Sequence, residues 1–393
     1  MKNINLSDYK ERLLGFKSNQ AYFNFLSEIS KIDSISDYPM FCREIKNLKS
    51  YIEKKKYNCI FTGRAFGAEG ALYGHRNAFF EYAGLQGKKQ NYLLPYFEHG
   101  VNWQNQIFPA FNQQSNHSFV LQGGYKNELI HSVRKDALVY NIGPYVLYAK
   151  PYYTDERIQE IKKRYGRIML VYPLHTYEGA DAEFDRHVFV KTVMDRFKNE
   201  FDTIMISVYW NDVDDPMYKE FASEGALLVS AGYRGDLQFI SRLRTIIEIA
   251  DGTSGNHIGT HIGYCMALRK PHIIFDTGAK YNEPARIVND EQKVFYRNVL
   301  DKFFYAFAHN EPTKEEKECQ DSLFENFWGG KTKFKTIEEA KAIINVSELL
   351  FANSRGNSQK ILDLANDVVY GHNKIGASTL QKSILCVALG ENI

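Results

Sequence analysis

Cysteine is sparse in this 393-residue chain and nowhere paired: Cys42, Cys59, Cys265, Cys319 and Cys386 stand far apart, with no C-x-x-C and no His/Cys ligand spacing. That argues against a disulfide framework and a zinc site, and it fits a reducing compartment. Long apolar runs are missing as well. No stretch of about 18 apolar residues occurs, and Met1 to Asn5 leads into polar sequence without the apolar core of a signal peptide. An excess of one charge is also lacking: the formal net charge is +2 with both signs interspersed, whereas a nucleic-acid binder would show a basic stripe. The longest basic cluster, Lys54-Lys55-Lys56, reads as a solvated helix face. The expected location is therefore cytoplasmic, at most peripheral to a membrane.

Ordinary globular proportions remain, 44% apolar and 24% charged residues, enough to bury a large core in about two domains. The 26 tyrosines and 27 phenylalanines are many, but a bias towards A/T-rich codons accounts for them, so they carry no function by default. Apolar spacing predicts helices within 7–56, then strands at 57–62, 92–97, 119–122 and 137–140, separated by Gly- and Asn-rich loops. From residue 155 the alternation is cleaner. Helices at 155–165, 185–199, 217–224 and 259–268 alternate with strands at 167–172, 202–209, 226–230 and 272–276, and Arg244–Ile249 reads as a further strand-like run. Such βαβ units build a parallel sheet covered on both faces, hence an α/β fold. The last hundred residues read as helical, and Thr336–Ile344 opens with a capping signal.

Open α/β sheets bind ligands beyond the carboxyl ends of their strands, which nominates four loops. The run from Ile249 to His261 is dense in small polar residues: Thr253, Ser254, Gly255, Asn256, His257, Thr260 and His261 suit a phosphate or diphosphate at a helix start. It matches neither the P-loop nor GxGxxG, and an ordinary Ser/Thr-capped helix is its plain alternative. After the strand at 167–172 come His175, Thr176 and Glu178, suited to touching phosphate and a hydroxyl. A third loop carries Arg64, Glu69 and His75 among four glycines, and the fourth is Glu98-His99-Gly100-Val101-Asn102-Trp103. A histidine directly after a strand is well placed as a general base, although a lone histidine is more often structural. Arg234, also beyond a strand, suits phosphate neutralisation.

Residues 249–276 (IADGTSGNHIGTHIGYCMALRKPHIIFD) resemble the segment of GT-B glycosyltransferases of bacterial capsule and lipopolysaccharide assembly, in which a polar run, a helix, a basic-Pro pair and a strand follow in order. The resemblance implies two Rossmann-like domains facing across a cleft, with C-terminal helices that cross back. The boundaries expected are an acceptor-side domain at 1–152, a nucleotide-sugar domain at 153–300 and a helical extension at 301–393 packing on both. It further implies a nucleotide-sugar donor as co-substrate, no cofactor or metal, and a saccharide or lipid-linked saccharide acceptor at the inner membrane. Asp212-Val213-Asp214-Asp215 has the letters of a DxD metal motif but is expected in a surface loop after Trp210, and an E-x7-E carboxylate pair of the type found in many retaining members is not expected in this chain. The expected chemistry is accordingly inverting and metal-independent. His99 is the first candidate base, with Glu69 and His75 next; Arg64, Asn102 and Trp103 lie on the acceptor side. Rival readings are a nucleotide-sugar epimerase, a polyol-phosphate transferase, or a non-catalytic saccharide-binding scaffold.

Overall fold

The computed structural model describes residues 69–85, 95–103, 118–176, 181–232, 234, 237–281 and 290–352. The elements expected within 7–62 lie outside the described residues, as do Arg64, Glu178 and residues 353–393.

The first half opens with a 3-10 turn over Glu69–Gly74 that runs into α1 (His75–Tyr82). Strands β1 (Tyr96–Phe97) and β2 (Ser118–Leu121), helix α2 (Asn127–Val133) and strand β3 (Leu138–Asn141) follow. The three strands form a parallel sheet in the order β1-β2-β3. The second half begins with α3 (Asp155–Tyr165), whose Thr154 caps the first turn and whose charges oppose the helix dipole: Asp155 and Glu156 at the start, Lys162, Lys163 and Arg164 at the end. Then come β4 (Ile168–Tyr172), β5 (Ala182–Glu183), α4 (Arg186–Phe197), β6 (Thr203–Ser207), α5 (Pro216–Ser223), β7 (Leu227–Val229), α6 (Phe239–Ile249), β8 (Gly252–Gly255), α7 (His261–Ala267), β9 (His272–Ile274) and β10 (Lys280–Tyr281). Five of these strands make a parallel sheet in the order β7-β6-β4-β8-β9. β5 and β10 pair antiparallel in a separate two-stranded sheet. Helices α8 (Asp290–Ala306), α9 (Lys314–Trp328) and α10 (Ile337–Ala352) complete the described chain. None of the described helices is long and apolar enough to cross a membrane.

The α/β class with parallel sheets is thus as expected, and β4 shows why. It is the central strand, and all five of its residues are buried. Ile168, Leu170 and Tyr172 enter the cluster with Ile158, Ile161, Ile246 and Ile262, while Met169 and Val171 enter the one with Phe189, Val193 and Phe197. Period-two alternation thereby feeds two cores, one on each face, and the sequence of the strand is apolar throughout.

One expectation is corrected. Arg244–Ile249 is not a strand but the end of α6, whose buried positions Ile240, Ile246, Ile247 and Ile249 fit helical spacing. The strand of that region is β8, Gly-Thr-Ser-Gly, lying inside the run expected to be a ligand loop.

The first cluster also contains Phe79, Phe97, Tyr145 and Tyr148 from the first half and Phe303, Phe327 and Trp328 from the C-terminal helices, so both sheets and the helices share one core. Tyr82 donates to the Lys335 carbonyl at 3.0 Å, and the Tyr148 hydroxyl accepts from Lys335 N at 2.8 Å. Trp328, fully buried, lies flat against Gly263 of α7 and donates from Nε1 to the Thr260 carbonyl at 3.2 Å. A β-carbon at Gly263 would fall inside the indole. Gly263→Ala should therefore destabilise the fold by about 1–3 kcal/mol through overpacking, read as a lowered denaturant midpoint. An unchanged midpoint would refute the docking of α9 on α7.

Candidate functional site

From β4 the large sheet grows through β6 to β7, and the chain then returns to place β8 and β9 on the other side of β4. β4 and β8 are neighbours whose onward connections diverge, the point at which an open α/β sheet leaves a crevice at its carboxyl ends. The two strands approach closely there: a β-carbon on Gly255 would stand 2.8 Å from the Tyr172 carbonyl oxygen. Asn256, fully buried, accepts from Leu174 N at 2.7 Å through Oδ1 and donates to the Thr277 hydroxyl at 3.3 Å through Nδ2. One side-chain amide thus fastens together the segments that follow β4, β8 and β9.

Histidines line these segments. The rings of His175 and His257 are 6.0 Å apart, those of His257 and His261 5.2 Å, and those of His261 and His272 5.3 Å. His175 stacks on Tyr209 at 3.9 Å and His261 on Tyr172 at 4.2 Å. The side chains of His175 and Thr176 are steadied from the loop after β6. Asp212 accepts from Thr176 N at 2.7 Å and from its hydroxyl, which in turn accepts from Asn211 at 3.2 Å. Burial disfavours the charged form of every ring in the row. His257 and His261 are pushed well below the usual histidine range by desolvation and then by neighbouring imidazoles; His175 is lowered by desolvation; His272 falls to about 3. The row is neutral at pH 7.

The small sheet supplies the facing wall. Val101 N donates to the Thr260 hydroxyl at 3.0 Å, so the loop after β1 meets the loop after β8, carboxyl end to carboxyl end. Behind His99 that loop is held by Glu98, buried beside Lys126 at 4.0 Å and accepting from the Tyr125 hydroxyl; the same hydroxyl accepts from Asn102 N at 3.0 Å. Tyr73 spans the two halves. Its N–H donates to the Arg234 carbonyl at 2.5 Å, and its ring lies parallel to His99 at 6.3 Å and edge-on to Phe239 at 4.9 Å. It holds φ at 58°, in the left-handed region that a bulky side chain occupies only at a cost of about 1–3 kcal/mol. Arg234 lies over the Trp210 ring at 5.5 Å.

Of the residues nominated from sequence, His99, His175, Arg234, His257, Thr260 and His261 come together in this cleft. Others have different work. Thr253 and Ser254 lie within β8 instead of at a helix start, and the Thr253 hydroxyl bonds the Pro271 carbonyl at 2.8 Å and His272 at 2.9 Å. Gly255 and Asn256 hold the framework as described. Gly259 makes room for His261, whose Nδ1 would be 2.7 Å from an added β-carbon. Helix α7 has only seven residues and Thr260 gives it no side-chain cap, so its start is not the capped phosphate-binding helix start expected from sequence. His75 is a poor base: it is buried against Tyr145 at 4.6 Å and Tyr264 at 3.3 Å, and desolvation followed by His99 lowers it to about 3. Trp103 packs on Phe303, Phe327 and Trp328 within 5.5 Å, which commits its ring to the core instead of an acceptor sugar, and Asn102 serves the loop through its backbone. Glu69 begins the 3-10 turn before α1. Asp212 and Asp215 are spent locally, the latter capping α5 and pairing with Arg186 at 2.6 Å. The E-x7-E spacing does occur, at Glu283 and Glu291, but after β9; Glu291 is exposed in the first turn of α8 and Glu283 is outside the described residues. Sequence reasoning missed Tyr73, Tyr172, Tyr209 and Trp210, although Tyr209-Trp210 directly follows a strand and the carboxyl-end rule points to it.

No protein-family model and no curated protein sequence matches the chain. Among solved structures it is similar to two of the wall teichoic acid polymerase TagF, at 14% identity with TM-scores of 0.34 and 0.33, covering 72% and 73% of this chain and 72% of each of those. It is also similar to TcCGT1 in complex with UDP, at 11% identity and a TM-score of 0.31, covering 89% of this chain and 85% of that one. Likeness of this degree adds nothing to the strand order above, and the functional reading rests on the cleft.

Asn256→Ala removes the acceptor of a buried N–H and frees both loops. The expected loss is about 1–3 kcal/mol of stability, measured by urea unfolding. A variant as stable as the parent would show that the amide does not hold the crevice together.

Proposed function

We propose that the protein is a glycosyltransferase of GT-B type that moves a sugar from a nucleotide-sugar donor to a saccharide or lipid-linked saccharide acceptor in bacterial surface-polysaccharide synthesis. The observation that carries the reading is the crevice at the β4–β8 switch point, lined by His175, His257 and His261 and faced by the His99 loop of a second parallel sheet. A nucleotide with one or two phosphates fits the large-sheet side, where hydrogen-bonding rings converge in a site of low polarity and each donor weighs more than in water. The acceptor fits the small-sheet side.

In this reading His99 takes the proton of the acceptor hydroxyl. The hydroxyl oxygen attacks the anomeric carbon, the bond to the donor phosphate breaks, and the nucleotide leaves towards the histidine row and Arg234. Base and leaving group then stand on opposite walls of the cleft, which suits a single in-line displacement with inversion. The fixed hydrogen-bond donors of the chain stabilise the leaving phosphate, in keeping with a metal-independent reaction. Transfer of a polyol phosphate from a nucleotide would use the same two walls, and analysis of the product for transferred phosphorus distinguishes it.

Melting temperatures measured with UDP, CMP, CDP, GDP and their sugars in EDTA should rise for one nucleotide; no rise with any would overturn the donor assignment. With that donor, His99→Ala should lower kcat by about 10²–10⁴-fold, the range of a general base, while nucleotide affinity stays within about twofold. Unaltered turnover would remove His99 from the chemistry.

A further inference from the structure

The histidine row raises a question of hydrogen-bond polarity. Phosphate oxygens only accept hydrogen bonds, so a ring nitrogen must carry a proton to bind one. Nδ1 of His175 stands 2.8 Å from the Thr176 carbonyl, itself only an acceptor, so the ring's single proton in the neutral state is at Nδ1 and Nε2 carries a lone pair. Nδ1 of His257 and Nε2 of His261 are buried without a hydrogen-bond partner among the described residues, as is the hydroxyl of Ser254 on the strand that leads into them. A buried polar atom left unpaired costs about 1–3 kcal/mol, and it is tolerated where a ligand satisfies it. The groups facing these rings are His272 on β9, Tyr172 at the end of β4, and Tyr209 and Asp212 after β6. Asp212 alone among them is an anion, and its carboxylate is taken up by Thr176. Among the described residues Asp212 is the one carboxylate that favours a protonated His175, and desolvation outweighs it.

We propose that His175, His257 and His261 form a proton-coupled phosphate site, neutral when empty, that takes up at least one proton from solvent when a phosphate or diphosphate binds. The step balances simply: the buffer acid gives a proton to an imidazole, the imidazolium N–H donates to a phosphate oxygen, and departure of the anion returns the proton. The inference rests on the crevice and its phosphate chemistry, and it holds whether the phosphate arrives on a nucleotide-sugar, on another nucleotide or as inorganic pyrophosphate. The sign follows from linkage. Desolvation holds the empty rings below their usual range, and a bound anion raises them. Protons are therefore taken up between the two values, and affinity grows as pH falls through that window.

The test is calorimetric titration of the full chain with UDP and, separately, with inorganic pyrophosphate, each in two buffers of different ionisation enthalpy at pH 7.0 and 8.0. The expected result is uptake of about one proton beyond that of the ligand itself, and about tenfold tighter binding at the lower pH for each proton taken up. His175→Gln keeps a hydrogen-bonding side chain that cannot titrate, so it should reduce both effects; the ligand's own protonation is common to parent and variant and drops out of the difference. Binding in the parent without extra proton uptake would overturn the inference while leaving the nucleotide reading intact. Pyrophosphate binding with uptake but no UDP or other nucleotide binding would do the reverse. Failure of every phosphate ligand to bind would overturn both.

Discussion

Everything at the candidate site depends on how closely β4 and β8 approach at their carboxyl ends. Gly255 has no side chain to hold the strands apart, and Asn256 turns the next residue into a three-way tie among the segments after β4, β8 and β9. A hydrogen bond to a buried backbone N–H adds only about 1 kcal/mol net, but its loss exposes the full desolvation penalty of the orphaned group. The tie therefore matters chiefly through what its loss would leave unpaired. His175, His257 and His261 inherit their spacing from it.

The second wall is set by different means. The loop carrying His99 is anchored behind by a buried carboxylate, a tyrosine hydroxyl and a lysine, and in front by the Thr260 hydroxyl of the opposite half. Tyr73 closes the line between the halves at a backbone angle that glycine would adopt freely. Strain of that size persists only where the surroundings over-determine it; here they are the Arg234 carbonyl, Phe239, and the rings of His75 and His99.

The C-terminal helices make one body of these parts. Trp328 docks on α7 beneath the Thr260 carbonyl, the same residue whose hydroxyl holds the His99 loop, while Phe334 and Lys335 engage Tyr82 and Tyr148 of the small-sheet half. A shift of α9 would therefore be felt at the meeting point of the two walls. Packing at near-crystalline density transmits such displacements instead of absorbing them.

Periodicity alone determined much of this. The helix over 155–165, the strands centred on 170, 205, 228 and 273, and the carboxyl-end loops bearing His99, His175, Arg234, His257 and His261 were all legible, because burial on two faces demands apolar strands and function gathers where they end. The strand Gly252–Gly255 was not, because its place is set by neighbours: Met169 and Tyr172 leave no room for large side chains, so a central strand carries Gly, Thr, Ser and Gly and reads as a loop. For the same reason Arg244–Ile249, apolar enough for a strand, is a helix end. Which histidines are deeply buried, which aromatic ring is spent on packing and which asparagine is a fastener depend on contacts between residues far apart in the chain. His75 meets Tyr264 across 189 positions and Leu174 meets Asn256 across 82, distances over which local pattern carries no information.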